Sequence, residues 1–267
     1  MINVGPNATC AVGVAVDNTA SSANANLTYQ IDGSADSGKF ANFAKLTVQK
    51  TNAGSGSVKA QLLSTTKIPQ VVINNGTKLD VQDQKLILTS TPVGSWNGTA
   101  YTDATGLIAS GYSPNQDFSG SGIVTSQTSA TGGNTLTSVG IVSNADMGLA
   151  TFGGQSVGAN DTLIGYTYGG DANLDGMITG DDYFQIDSAF PQGLHGWFNG
   201  DFNYDGAITG DDYFIIDSNF AAQGPPFPPS SGGAALSGVQ AVPEPASIGM
   251  IAGGAALLLG RRRRRRS

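Results

Sequence analysis

One feature constrains this 267-residue chain more than any other: a direct repeat near its C-terminal end. Residues 170–184 read GDANLDGMITGDDYF, and residues 200–214 read GDFNYDGAITGDDYF. The two differ only at 172/202, 174/204 and 177/207. Such self-similarity means two copies of one small supersecondary unit, neither able to bury its apolar face alone. Each copy places Asp, Asn and Asp at alternate positions, then a glycine, and an acid seven residues after the second Asp of that series. This is the D-x-[DN]-x-[DN]-G calcium-loop pattern, with aspartate rather than glutamate at the twelfth position.

The spacing has a chemical reason. A hard divalent cation needs six to eight oxygens at about 2.3–2.6 Å. In the first copy the expected ligands are Asp171, Asn173 and Asp175, the backbone carbonyl of Met177, Thr179 (hydroxyl or bound water) and Asp182. In the second they are Asp201, Asn203, Asp205, Ala207 (carbonyl), Thr209 and Asp212. Gly176 and Gly206 permit the sharp turn that converges these groups. Two calcium ions are thus the expected cofactors. Ile178 and Ile208 should point inward and pair the loops. Thr179 and Thr209 should cap short helices, with Asp182 and Asp212 in capping-box position. Those helices carry apolar stripes, Tyr183, Ile186 and Phe190 in one and Tyr213, Ile216 and Phe220 in the other. Neither is long enough to be stable by itself.

Charge distribution sharpens this. All six arginines lie at 261–266, so the rest of the chain holds seven lysines against twenty acids, a net of −13. Ten aspartates fall between 171 and 217 without a lysine or arginine among them. Their mutual repulsion predicts that cation binding and folding of this stretch are coupled. Nothing in such a body neutralises a phosphate backbone, which argues against a nucleic-acid partner. One histidine, one cysteine and no G-x-S-x-G disfavour Ser-His-Asp and Cys-His hydrolases. His195 sits between the copies and reads as a packing residue, since zinc wants three or four N/S donors. The acid pairs Asp80/Asp83 and Asp103/Asp117 read as solvated loop residues rather than a glycosidase dyad, so the chain is expected to be non-catalytic. Trp96, Tyr101 and Tyr112 are expected in a core more than on a sugar-stacking platform.

The repeat pair resembles the type I dockerin, a duplicated calcium-loop-plus-helix module, over about residues 169–220. The resemblance implies a cohesin-like docking partner. The helix positions differ from many members of that family, with Gly180-Asp181 and Gly210-Asp211 where Ser/Thr pairs are common and Asp187-Ser188 and Asp217-Ser218 where Lys or Arg is found.

The chain end has its own signature. After a Pro/Gly/Ser-rich stretch come Pro243-Glu244-Pro245, an uncharged segment at 246–260 and the arginine block at 261–266. As a helix the apolar segment would reach about 22 Å, short of the roughly 30 Å hydrocarbon core. This order resembles the PEP-CTERM sorting signal, with Pro243, Glu244 and Pro245 as the motif. It implies an exosortase-type processing enzyme, transient membrane anchoring of a C-terminal hydrophobic helix, export, and a destination at the cell envelope or surface. The N-terminus has no positively charged n-region and no apolar run, hence no signal peptide. For an exported protein that implies a fragment or a misplaced start codon.

Residues 1–168 carry β character. Short strands are expected at 27–31, 44–49, 58–63, 71–73, 85–88 and 163–168, punctuated by Gly-Ser, Asn-Gly and Thr-Gly clusters. A helix at 103–110 should end ahead of Gly111. Residues 74–168 resemble the region before the repeat pair in PEP-CTERM surface proteins of planctomycete-type bacteria, on the segments TKLDV (77–81), LIASGY (107–112) and TFGGQSV (151–157). Those proteins have autotransporter-like β-helical repeats upstream, which implies that residues 1–70 are the last rungs of a β-solenoid.

The expected architecture is mainly β, a β-sandwich or the end of a β-solenoid, followed by a small α module with two EF-hand-type loops. The expected divisions are 1–70 and 71–168 (β-rich), 169–222 (calcium module), 223–241 (linker) and 242–267 (sorting signal). The expected function is that of an exported, non-catalytic surface protein. The alternative is an accessory or remnant of a polysaccharide-degrading enzyme, or a carbohydrate-binding adhesin.

Overall fold

The computed structural model describes residues 27–31, 45–48, 58–74, 76–112 and 115–227. Pro243-Glu244-Pro245, the segment 246–260 expected to be a helix, and much of 1–70 lie outside the described residues.

Short β-branched and leucine-bearing segments form strands that stack in parallel, one pass of the chain upon the next. β1 (Leu27–Ile31), β3 (Val58–Leu62), β6 (Thr77–Asp80) and β8 (Gly122–Val124) make one four-stranded sheet, all pairs parallel. β2 (Leu46–Val48) pairs in parallel with β5 (Val71–Ile73), and β4 (Thr66–Ile68) with β7 (Lys85–Leu88). Each pass therefore contributes to several faces, with Ala60, Leu62, Ile68, Val71, Leu79, Leu86 and Leu88 buried. The parallel stack ends where β12 (Thr162–Tyr168) pairs antiparallel with β7 on one side and with β9 (Thr137–Ser143) on the other. A two-stranded hairpin, β10 (Thr151–Phe152) and β11 (Gln155–Ser156), turns through Gly153 and Gly154, whose φ values of 56° and 79° suit a tight hairpin turn. Among the described residues no sheet closes on itself into a barrel.

The expected strands are found within two residues of their anticipated bounds. β4, β6, β8, β9, β10 and β11 are additions. α1 (Asp103–Tyr112) runs past the expected stop at 110 and contains Gly111. That glycine is a contact position rather than a cap: a Cβ there would lie 2.1 Å from the Ile123 carbonyl oxygen on β8. A one-turn helix, α2 (Asn144–Met147), follows β9. α3 (Gly180–Ala189) and α4 (Gly210–Ala222) belong to the two repeats, as the sequence predicts. No helix among the described residues is long and apolar enough to cross a membrane.

The repeats pack onto the β region in one core. Trp197, in a single 3-10 turn between them, is 1% exposed and stacks on Tyr204 at 5.5 Å. Its Nε1 donates to the Asp171 carbonyl at 2.7 Å. Gly140 on β9 carries no side chain because a Cβ there would sit 2.5 Å from Leu174 and 2.6 Å from Trp197. Tyr204 Oη donates to the Val139 carbonyl, and Asn219 Nδ2 to the carbonyls of Thr135 and Gly169. The described residues accordingly belong to one compact unit.

Candidate metal centre

The two loops fold alike down to individual hydrogen bonds. Leu174 and Tyr204 take left-handed backbone angles, φ 58° and 61°, and Gly176 and Gly206 follow at 98° and 89°. For non-glycine residues such angles carry strain, here offset by burying both side chains in the shared core. The curl points backbone N–H groups at the acids. Asp171 Oδ2 accepts from Gly176 N, and Asp201 Oδ2 from Gly206 N, each at 2.9 Å. Asn173 Oδ1 and Asn203 Oδ1 accept from Asp175 N and Asp205 N, both at 2.9 Å. Asp182 Oδ1 accepts from Ala172 N at 2.8 Å while its Oδ2 accepts from Thr179 N at 2.8 Å. Asp212 does the same with Phe202 N and Thr209 N, at 2.8 and 2.9 Å.

Both capping boxes form as predicted, Thr179 with Asp182 and Thr209 with Asp212. The threonine hydroxyls accept from Asp181 N and Asp211 N, so their side chains are engaged in helix capping. Met177 and Ala207 present their N–H groups to Asp175 Oδ1 and Asp205 Oδ1. Ile178 and Ile208 are buried, as predicted. The backbone of Ile178, however, is not joined to the other loop. Gln223 supplies both partners instead, Oε1 accepting from Ile178 N at 2.8 Å and Nε2 donating to Ile178 O at 2.9 Å. Residues 223–227, expected to begin the linker, thus belong to the folded unit. Phe227 N donates to Gly176 O, and its ring packs on Tyr168 at 4.5 Å.

Asp171, Asp182, Asp201 and Asp212 are all 0% exposed, whereas Asp175 and Asp205 are exposed. Burial is the first cause of the raised pKa of each buried acid: about 8 for Asp171, about 6 for Asp182 and about 7 for Asp212, with Asp201 also raised. Charging these groups in a low-dielectric site is costly without a counter-ion. Asp201 Oδ1 is buried and has no hydrogen-bond partner. An orphaned carboxylate oxygen at the first ligand position, in a set of carboxylate, amide and carbonyl oxygens, fits a hard cation such as calcium. Among the described residues no three His, Cys, Asp or Glu side chains form a ready-made cage, and the donors in each loop are mixed.

The helix stripes meet in a reciprocal seam. Tyr183 contacts Phe220 and Tyr213 contacts Phe190, at ring separations of 6.0 and 6.2 Å. Tyr183 Oη donates to Asp217 Oδ1 and Tyr213 Oη to Asp187 Oδ1, at 2.7 and 2.8 Å. Only the isoleucines of the predicted stripes are fully buried; Phe190 and Phe220 are half exposed because the seam lies at the surface.

The remaining candidates resolve structurally. Asp80, expected to be a solvated loop residue, is instead fully buried at the end of β6, paired with Lys59 at 2.9 Å and accepting from the N–H groups of Gln82 and Ser126. Asp117 caps a turn at Ser119 N. Tyr101 and Tyr112 are core residues. His195 is exposed, 6.3 Å from the Trp96 ring, at the rim of a cleft of about 460 Å³ between Trp96, α2 and the connector of the repeats. Sequence reading missed Tyr101, Thr167 and Gln223, which touch the loops from outside the repeat. No protein-family model, curated protein or solved structure matches this chain.

Proposed function

We propose that this chain is an exported, non-catalytic surface protein in which two calcium ions hold a dockerin-like repeat pair against the end of a β-solenoid. The observation that carries the reading is the matched pair of loops, each burying two aspartates, with Asp201 Oδ1 left without a partner. Asp171, Asn173, Asp175 and Asp182 would hold one ion with the Met177 carbonyl and Thr179; Asp201, Asn203, Asp205 and Asp212 would hold the other with the Ala207 carbonyl and Thr209. Bound calcium would supply the positive charge that the buried carboxylates lack. The protein groups do the rest: N–H donors of the loop fix each carboxylate, and the capped helices anchor the twelfth position. The parallel, in-register stacking of β1, β3, β6 and β8 supports the solenoid part of the reading. Docking to a cohesin-like domain and removal of the tail after Pro243-Glu244-Pro245 by an exosortase-type enzyme complete the proposal.

Titrating calcium into the chelator-stripped chain in a calorimeter tests it. Two binding events and a gain of ordered circular dichroism are expected. A chain that takes up no calcium heat and whose spectrum is indifferent to EGTA would refute the reading.

A further inference from the structure

The first acid of each loop is also held from outside the repeat. Thr167 on β12 donates its hydroxyl to Asp171 Oδ2, and Tyr101 donates its phenol to Asp201 Oδ2. The Tyr101 oxygen accepts in turn from Gly196 N at 2.8 Å. One buried hydroxyl therefore ties together the segment before α1, the connector between the repeats and the second loop. A phenol is protonated, and so a hydrogen-bond donor, throughout the neutral range. Asp201 Oδ2 already accepts from Gly206 N, so this oxygen is doubly engaged. Oδ1 remains, buried and without a partner. The neighbouring Trp96 reinforces the arrangement: a Cβ on Gly206 would come within 2.5 Å of its ring.

We propose that Tyr101 is a positioning residue of the second loop, fixing Asp201 through Oδ2 so that Oδ1 is the oxygen offered to a divalent cation, and thereby making that loop's affinity depend on the β region. This rests on the calcium reading above. Partners that orient a metal ligand are commonly worth about 10- to 100-fold in affinity.

The test is a calcium titration of the full chelator-stripped chain, parent against Tyr101→Phe, by calorimetry with near-UV difference absorbance. The substitution keeps the ring that packs on Trp96 at 5.1 Å and on Tyr204 at 6.4 Å. Expected is one event unchanged and the other weakened about 10- to 100-fold, with loss of part of the tyrosine difference signal that accompanies it. Equal constants in both proteins overturn the inference, and so does a uniform weakening of both events, which would mean general loosening. No calcium heat in either protein sinks the underlying calcium reading instead. Should the variant fail to fold in excess calcium, the parent decides alone: a second event that leaves tyrosine absorbance unperturbed overturns the assignment.

Discussion

Lys85 on β7 lies with its Nζ 4.7 Å from the centre of the Phe152 ring. Burial lowers its pKa to about 8, although the charge of Asp171 acts in the opposite direction. The folded state therefore holds fewer protons than the unfolded chain between about pH 8 and the ordinary lysine value near 10.5. Stability contributed at this position rises with pH across that window and is lowest below it. In thermal melts compared with Lys85→Met, the parent should gain on the variant between pH 8 and pH 10; a constant difference would contradict this. The same residue scale decides what could be read beforehand. Asp171, Asn173, Asp175 and Asp182 fall within twelve residues, so local spacing discloses them. Tyr101 meets Asp201 across 100 positions and Gln223 meets Ile178 across 45, and no short-range pattern records such encounters.

At the scale of elements, the helices lock each other's loops. Ile186 of α3 packs on Gly200, which precedes the second loop, and Ile216 of α4 packs on Gly170, which precedes the first. A Cβ at Gly200 would approach Ile186 Cγ1 to 2.5 Å, and the backbone there has φ 107°. Gly200→Ala should cost about 2–5 kcal/mol in denaturant unfolding, from overpacking and backbone strain together. Gly210→Ala is the contrast: a Cβ there meets nothing within 4 Å, and alanine at the start of α4 should be neutral or stabilising by up to about 1 kcal/mol. Equal effects at the two positions would argue against the interlock. The helices were legible because capping threonines and apolar spacing lie inside each repeat. β6 and β9 were not, because TKLD has no clean alternation and TSVGIVS is buried along nearly its whole length, so neither shows the period of a half-exposed strand.

On the scale of the whole molecule, the repeat pair and the β region share Trp197, Tyr204, Leu174 and β9 in one core. The division at residue 168 seen in the sequence is a change of composition, not a break in packing. Cation binding should therefore stabilise both together. With free calcium 100-fold above the dissociation constant, each site would add about 2.7 kcal/mol. Sheet dichroism and tryptophan fluorescence should melt in a single coincident transition that EGTA lowers for both probes. Separate transitions, with only the fluorescence sensitive to EGTA, would show the two regions to be uncoupled.

The bidentate grip of Gln223 on Ile178, with Phe227 laid over Gly176, has a consequence for chain emergence. The clasp that seals the earlier loop is made last, roughly fifty residues downstream. During synthesis the first loop lacks this clasp until residues 223–227 have emerged. Completion then proceeds backwards, from tail to head.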